Sequence, residues 1–139
     1  MATIEAQRLI NARGSTVWDI ITDASNFAVW NSGIATVSGV IRNGGSVRMR
    51  TLHGGGKNFR VAVEQIPGEV MTWTRVARPG LGAAVRTFVI TPRGSMTLLL
   101  VRDEVKGPLA GIIRSPFSAT EQSLADFVDA IKGRAELLG

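Results

Sequence analysis

The chain has 139 residues, the length of one globular domain, so we expect a single domain over residues 1–139. It contains no cysteine and one histidine, which argues against disulfides, thiolate chemistry and a structural zinc site; neither a metal nor a cofactor is expected. The formal net charge is +5, but the basic residues are scattered along the sequence, which argues against a dedicated nucleic-acid site.

The N-terminal part of the chain predicts a strand followed by two short helices. The strand is expected over residues 3–10. A helix with Gly14 or Ser15 as its N-cap should follow, because apolar residues recur at helical spacing behind that position. A short helical turn capped by Ser25 is expected over residues 25–30.

The middle of the chain predicts six strands joined by turn sequences. Asn-Gly and Pro-Gly pairs between alternating β-branched residues are typical of hairpins. The strands are expected at residues 34–41, 46–52, 58–66, 70–77, 83–92 and 96–105. Because they are linked by short turns, we expect an antiparallel meander.

A glycine-rich stretch that includes His53 and Lys57 resembles part of a phosphate-binding loop. A phosphate loop must open a helix, because the helix N-terminus supplies the free N–H groups. The alternating residues after Lys57 predict a strand instead, so the stretch is interpreted as a hairpin connection. His53 is interpreted as a solvated loop residue, since a general base also needs an orienting partner.

The last part of the chain predicts a long amphipathic helix, because the apolar period shifts toward 3.6. Pro116 interrupts the pattern, so a short turn or helix should come first. The long helix is expected to begin within residues 115–119, with Ser118 and Glu121 as a capping box, and to end near Leu137.

This order of elements predicts an α+β fold. A strongly curved antiparallel sheet of seven strands needs a cover for its concave apolar face, and the C-terminal helix can provide it. The two short helices after the first strand would close one end. We expect this arrangement to leave a hollow between the sheet and the helix.

Alternation along the strands assigns side chains to the concave or the convex face. Keeping the apolar sets on one side requires a three-residue connection at 67–69 and a two-residue loop at Arg93 and Gly94. Arg48 and Arg50 should then lie in water. The concave set is Met49, Phe59, Val61, Val63, Met71, Trp73, Phe88, Ile90, Leu99 and Val101.

Arg75 and Arg86 fall on the concave or rim side near Trp73, and two interpretations stay open. In one, the guanidinium groups reach solvent or pair with Asp103 or Glu104. In the other, they hold the carboxylate or phenolate of a ligand that lies across Trp73, for which the planar guanidinium is well suited.

Three aromatic residues belong to the predicted N-terminal helices. Trp18 falls within the helical stripe and is interpreted as core. Phe27 and Trp30 are equally suited to the core and to the mouth of a cavity.

The sequence resembles the polyketide cyclase/dehydrase and lipid-transport superfamily, the START-like or SRPBCC group. The stretch STVWDIITDASNFAVWNSGI carries the resemblance first, and VMTWTRVA, RTFVITPRGSMTLLLVRDEVKGPLAGII and LADFVDAIKGRAELL extend it over nearly the whole chain. It implies a helix-grip fold that encloses a deep hydrophobic cavity. The group shares no catalytic motif, so the resemblance carries over only lining positions: Trp30, Phe59, Trp73, Phe88, Phe117 and Phe127.

We therefore expect a protein that binds, and by this transports or sequesters, a small hydrophobic or aromatic-anionic molecule in an internal cavity. The expected ligand-binding residues are Trp30, Met49, Phe59, Val61, Trp73, Arg75, Arg86, Phe88, Phe117 and Phe127. The alternative is a polyketide cyclase or dehydratase acting on an enolisable aromatic substrate. There, Arg75 or Arg86 would stabilise an enolate and Glu104 would move protons.

The remaining expectations concern partners and location. A third interpretation is an interaction module, and a homodimer is left open. No nucleic acid is expected as a partner. The apolar runs are too short to span a membrane, and no charged segment followed by an apolar one opens the sequence, so the cytoplasm is the expected compartment.

Overall fold

The computed structural model describes residues 2–30, 32–52, 56–118 and 120–139. Its seven strands form one antiparallel sheet in the spatial order β1-β7-β6-β5-β4-β3-β2, which confirms the predicted meander. The strands are β1 (Ala2–Ile10), β2 (Ile34–Ser38), β3 (Ser46–Thr51), β4 (Phe59–Ile66), β5 (Val70–Arg78), β6 (Gly82–Arg93) and β7 (Met96–Lys106). Helix α1 (Gly14–Thr22) and a 3₁₀ turn (Ala24–Asn26) follow β1, and α2 (Glu121–Leu138) follows β7.

Helix α2 covers the concave face of the sheet and packs against β1 and α1. Its buried side consists of Leu124, Phe127, Val128, Ile131 and Ala135. The helix begins later than predicted because Thr120 is the N-cap: its side chain accepts from the Ser123 N–H, and the Ser123 hydroxyl accepts from the Thr120 N–H. The prediction that Ser118 caps the helix is wrong. The Ser118 hydroxyl accepts a hydrogen bond from Arg86 Nη2.

The start of α1 also differs slightly from the prediction. Arg13 is the N-cap, in extended conformation, and its side chain makes no capping hydrogen bond. Gly14 is already the first helical residue, so neither Gly14 nor Ser15 is the cap.

The register of the hairpins confirms the predicted face assignment. Ile66 pairs with Val70, which leaves the predicted three-residue connection between β4 and β5. Arg93 pairs with Met96, so the next two-residue loop is Gly94 and Ser95 rather than Arg93 and Gly94. Moving a two-residue loop by one position shifts every cross-strand partner by two, and a shift of two keeps each side chain on its face.

Turn geometry explains this choice of loop. Gly94 has a φ of +64° and no non-glycine residue among those described has a positive φ. A glycine in that conformation at the first loop position is what a type II′ hairpin turn requires.

The concave set of side chains forms the core together with the buried side of α2. All ten members of the set are buried: Met49, Phe59, Val61, Val63, Met71, Trp73, Phe88, Ile90, Leu99 and Val101. Trp18 packs against this core and is half-buried. Of the two arginines predicted to lie in water, Arg48 is exposed and Arg50 is half-buried.

The segment between β7 and α2 has turns but no helix or strand among its described residues. It begins at Gly107, whose φ is +102°. The Leu109 N–H then donates to the Leu81 carbonyl across the β5–β6 hairpin at 3.0 Å. Further along, the Thr51 hydroxyl donates to the Pro116 carbonyl. The segment is therefore fixed at two points to the rim of the sheet.

The geometry at Gly107 predicts a specific sensitivity to substitution. A Cβ added at this position would lie 2.5 Å from the Leu81 carbonyl oxygen, and the positive φ adds backbone strain. We expect Gly107→Ala to lower the free energy of unfolding by about 1–3 kcal/mol. Gly111→Ala is the control, since its Cβ would meet no atom within 4 Å. Equal urea denaturation midpoints for the two variants would contradict this account.

The 3₁₀ turn is held by the carboxylate of Asp23. Its Oδ1 accepts from the Ser25 hydroxyl at 2.7 Å and its Oδ2 from Asn26 Nδ2 at 2.6 Å. These hydrogen bonds, with a smaller contribution from the charge of Arg134, lower the pKa of Asp23 from its ordinary value of 3.8. The ionised carboxylate therefore stabilises the turn that leads into Phe27.

This shift predicts how Asp23 contributes to stability as pH changes. A lowered folded-state pKa gives a contribution that is complete above pH 3.8 and is lost as pH falls through the lower folded-state value. Asp23→Ala should therefore lower the Tm at neutral pH, and the difference from the wild type should narrow as the pH falls below 3.8. Asp19→Ala removes the same charge from a side chain without hydrogen bonds to the described residues, and should cost less. A gap for Asp23→Ala that widens on acidification would contradict the assignment.

Candidate functional site

A buried ion pair lies between the sheet and the segment that precedes α2. Arg86 on β6 and Asp103 on β7 are cross-strand partners. Arg86 donates from Nε to Oδ1 and from Nη2 to Oδ2 of Asp103, both at 2.7 Å. Its Nη2 also donates to the Ser118 hydroxyl at 2.6 Å. All three side chains are buried, so the two charges neutralise each other inside the protein.

This pair confirms the interpretation of Arg86 as a residue that pairs with Asp103. The other acid considered, Glu104, is not part of the site. Because it follows Asp103 directly in the strand, Glu104 points to the convex face, where its Oε2 lies 4.0 Å from Lys106 Nζ. The expectation that Glu104 moves protons beside Arg86 is therefore wrong.

Aromatic rings surround the ion pair. The Arg86 Cζ lies 4.4 Å from the ring centroid of Phe127 and 5.2 Å from that of Phe117, both within range for cation–π attraction. These rings belong to a connected set that we call the aromatic cluster: Phe27, Trp30, Phe59, Trp73, Phe88, Phe117 and Phe127.

Trp73 is at the centre of the aromatic cluster. Its ring centroid lies 4.8 Å from Phe88, 5.8 Å from Phe27 and 6.1 Å from Phe117. The side chain points inward as predicted, and only 1% of its surface is exposed. Its indole N–H is directed at the sulfur of Met71 at 3.3 Å.

The hollow expected beneath the sheet does not extend to Trp73. A side chain that lines a water-sized internal space retains accessible surface, and Trp73, Phe88, Val61 and Met49 retain almost none. The reason lies in the flanking segments, which sequence periodicity treats separately. Phe27 after α1 and Phe117 before α2 both fold inward and fill the space beside Trp73.

The structure brings the ten expected ligand-binding residues together, but they differ in solvent exposure. Eight are buried: Met49, Phe59, Val61, Trp73, Arg86, Phe88, Phe117 and Phe127. Trp30 and Arg75 are half-buried at the rim. Phe27, which was equally suited to core or mouth, is core, whereas Trp30 reaches the surface beside Phe127 at a centroid distance of 5.8 Å.

Arg75 is in a different electrostatic situation from Arg86. Its Cζ lies 5.2 Å from the centre of the Phe59 ring. Among the described residues, no carboxylate forms an ion pair with Arg75. Arg75 is therefore a guanidinium at the edge of an aromatic surface with its charge available to an anion.

A surface depression of about 190 Å³ lies above the rings of Phe117 and Phe127. We call it the mouth; its other lining residues are Ser32, Gly33, Leu52, Ser123 and Asp126. A neighbouring depression of about 390 Å³ shares Leu52 and includes Val29 and Trp30. Of the aromatic cluster, Phe117 and Phe127 line the mouth, and Trp73 and Phe88 lie beneath them out of reach of solvent.

His53, Gly54 and Gly55 lie outside the described residues. On either side of them β3 and β4 pair antiparallel, so the stretch connects a hairpin, as predicted.

Solved structures with the same architecture confirm the predicted START-like helix-grip fold. A START superfamily protein from Mycobacterium smegmatis is 22% identical, with 99% of both chains covered and a TM-score of 0.74. The di-domain ARO/CYC BexL from the BE-7585A biosynthetic pathway is 17% identical with a TM-score of 0.74; the match covers 99% of this chain and 47% of BexL, so the chain spans about half of that protein. The Aha1 dimer from Colwellia psychrerythraea is 16% identical, with 99% and 98% covered and a TM-score of 0.70.

The chain belongs to the polyketide cyclase/dehydrase and lipid transport family, whose sequence profile matches residues 1–136. No curated protein sequence matches it. Within the described part of the chain, neither helix has the length and apolar content needed to cross a membrane.

The buried ion pair predicts a strong asymmetry between single and double substitutions. Arg86→Met leaves the Asp103 carboxylate buried without its partner and should lower the free energy of unfolding by about 3–5 kcal/mol. The double variant Arg86→Met/Asp103→Leu removes both charges and should recover most of that loss. Urea denaturation of the three proteins measures both effects. A double variant as unstable as the single one would contradict the role of the unpaired charge.

Proposed function

We propose that this protein binds a small aromatic molecule with an anionic group, and that the aromatic ring of the ligand takes the place of the Phe117 ring. The observation that carries the proposal is the environment of Phe117. Its ring contacts Phe59 at 6.0 Å and Trp73 at 6.1 Å between centroids, and the guanidinium of Arg86 at 5.2 Å. Any flat ring in this position would make the same three contacts.

Phe117 is the one member of the aromatic cluster that lies outside the helices and strands and also lines the mouth. It belongs to the segment without helix or strand before α2, whereas Phe59, Trp73, Phe88 and Phe127 lie on strands or on α2. Phe117 is one of the residues that line the mouth. A space of about 150 Å³ holds benzene in an engineered protein, so the mouth, at about 190 Å³, is large enough for one aromatic ring.

Arg75 supports an anionic group on the ligand. Its guanidinium lies 5.2 Å from the Phe59 centroid, and Phe59 in turn contacts Phe117, so Phe59 is a neighbour of both. We orient a fused-ring ligand in the place of Phe117 so that its second ring passes Phe59 toward Arg75. A carboxylate there would accept charge-assisted hydrogen bonds from a guanidinium that has no carboxylate partner among the described residues. Arg86 would contribute its planar face rather than its charge, since Asp103 already neutralises it.

Binding is favoured over enzymatic cyclisation by the placement of the acids. Proton transfer needs an acid or base within reach of the substrate. Asp103 is fully used by Arg86, and Glu104 lies on the convex face. Asp126 lines the mouth, but its side chain is exposed to water and accepts a hydrogen bond from Gln122 at 2.8 Å. The likeness to the ARO/CYC protein BexL therefore concerns the fold, and we propose a binding function for this chain.

Isothermal titration with 2-naphthoate and the neutral 2-naphthamide tests the proposal. The wild type should bind the acid more tightly. Arg75→Gln should weaken naphthoate binding by about tenfold or more, the value of a charge-assisted hydrogen bond, and leave naphthamide binding unchanged. Arg93→Gln, at the exposed end of β6 and seven residues along that strand from Arg86, is the matched control. Equal loss for both ligands, or no binding of either, would overturn the proposal.

Phe117→Ala distinguishes a displaced ring from an ordinary lining residue. It should lower the free energy of unfolding by about 3–5 kcal/mol, because it leaves a cavity in the aromatic cluster. It should also raise the naphthoate affinity on the order of tenfold, since the ligand no longer competes with a protein ring. Weaker binding by a folded Phe117→Ala protein would show that Phe117 holds the ligand in its present position and would contradict displacement.

A further inference from the structure

Three arginines that are scattered in the sequence lie together on the convex side of the sheet. Arg48 on β3 is the direct cross-strand partner of Arg60 on β4. Arg50 is the next residue on the same face of β3. We call these three residues the basic face. Cross-strand and diagonal neighbours in an antiparallel sheet have their Cβ atoms roughly 5–8 Å apart, so the three side chains share one small area.

The charges of the basic face are not compensated within the protein. Among the described residues, no carboxylate forms an ion pair with Arg48, Arg50 or Arg60. The nearest acid along β4 on this face is Glu64, four residues from Arg60 and so roughly 13 Å away. Like charges directly opposite each other destabilise a sheet. The arrangement is therefore unfavourable in the isolated protein and becomes favourable against an anionic surface.

Exposed apolar side chains lie between the basic face and the mouth. Leu52 follows Arg50 two residues further along and is 72% exposed. Val29, which is 64% exposed, lines the same depression as Leu52. A nucleic acid or an acidic protein would need only the positive charges of the arginines and would leave Leu52 and Val29 without a role. Basic residues next to protruding apolar side chains match the interface of an anionic membrane, where headgroups and acyl chains meet.

We propose that this protein docks peripherally on anionic phospholipid bilayers through the basic face, with Leu52 and Val29 inserted at the headgroup level. The hydroxyl side chains of Thr36 and Ser38 on β2 are the cross-strand neighbours of Arg50 and Arg48 and add donors for lipid phosphates. The docking does not depend on the aromatic ligand, so it is tested with protein alone.

Co-sedimentation with vesicles tests the proposal. The protein should bind phosphatidylcholine vesicles that contain phosphatidylserine and should not bind pure phosphatidylcholine vesicles. The triple variant Arg48→Gln/Arg50→Gln/Arg60→Gln should lose on the order of a hundredfold in affinity, since each basic residue near the surface contributes about fivefold. Arg13→Gln/Arg93→Gln/Arg114→Gln is the matched control, with the same net charge and exposed positions elsewhere. Equal losses in the two triple variants would overturn the proposal.

The apolar part is tested separately. Val29→Ser/Leu52→Ser should weaken vesicle binding about tenfold, whereas Ile112→Ser/Leu137→Ser, at equally exposed positions, should not change it. If the first pair binds as the wild type does, or if single-stranded RNA binds more tightly than the vesicles, the surface recognises a polyanion and the membrane proposal is wrong.

A single substitution separates docking from folding. Arg60→Glu places opposite charges across the β3–β4 pair, so it should raise the Tm slightly while it weakens vesicle binding. A variant that is more stable and binds less cannot owe its lost binding to misfolding. Unchanged vesicle binding by Arg60→Glu would overturn the proposal.

Discussion

Burial of the Arg86 guanidinium is the constraint on which the interior depends. A buried charge must be paired, and Asp103 in the adjacent strand supplies a bidentate partner. The remaining donor capacity of Nη2 is directed at Ser118, which ties the segment before α2 to the sheet. Two residues further along, Thr120 caps the helix, and α2 begins at Glu121. One ion pair thus connects the sheet, the connecting segment and the start of the helix.

The same constraint positions the aromatic rings. Phe117 precedes Ser118 and is carried inward with it, and Phe127 covers the opposite side of the guanidinium. A neutralised guanidinium between two rings presents a flat, weakly hydrated surface, which suits an aromatic ligand better than an aliphatic one. Arg75 lacks such a partner among the described residues and remains the group that can select for an anion. The two arginines of the interior therefore have different roles in the proposed site.

Alternation and turn chemistry were sufficient to predict the sheet from the sequence, including the inward direction of Trp73 and the connection between Ile66 and Val70. The loop at Gly94 and Ser95 was misplaced by one residue without consequence for the faces. Contacts between distant segments could not be predicted this way. Nothing in the local sequence indicates that Ser118 reaches Arg86, that Phe27 and Phe117 fill the space beside Trp73, or that Arg48 and Arg60 face each other.

A crystal structure of the protein with 2-naphthoate tests the central claim most directly. In this complex we expect the Phe117 ring to have moved out toward the mouth and the naphthalene ring to lie between Phe59, Trp73 and Arg86. The naphthoate carboxylate should contact Arg75. The pair of Arg86 and Asp103 should be intact. A naphthoate bound elsewhere on the surface, with the Phe117 ring still against Trp73, would contradict the account.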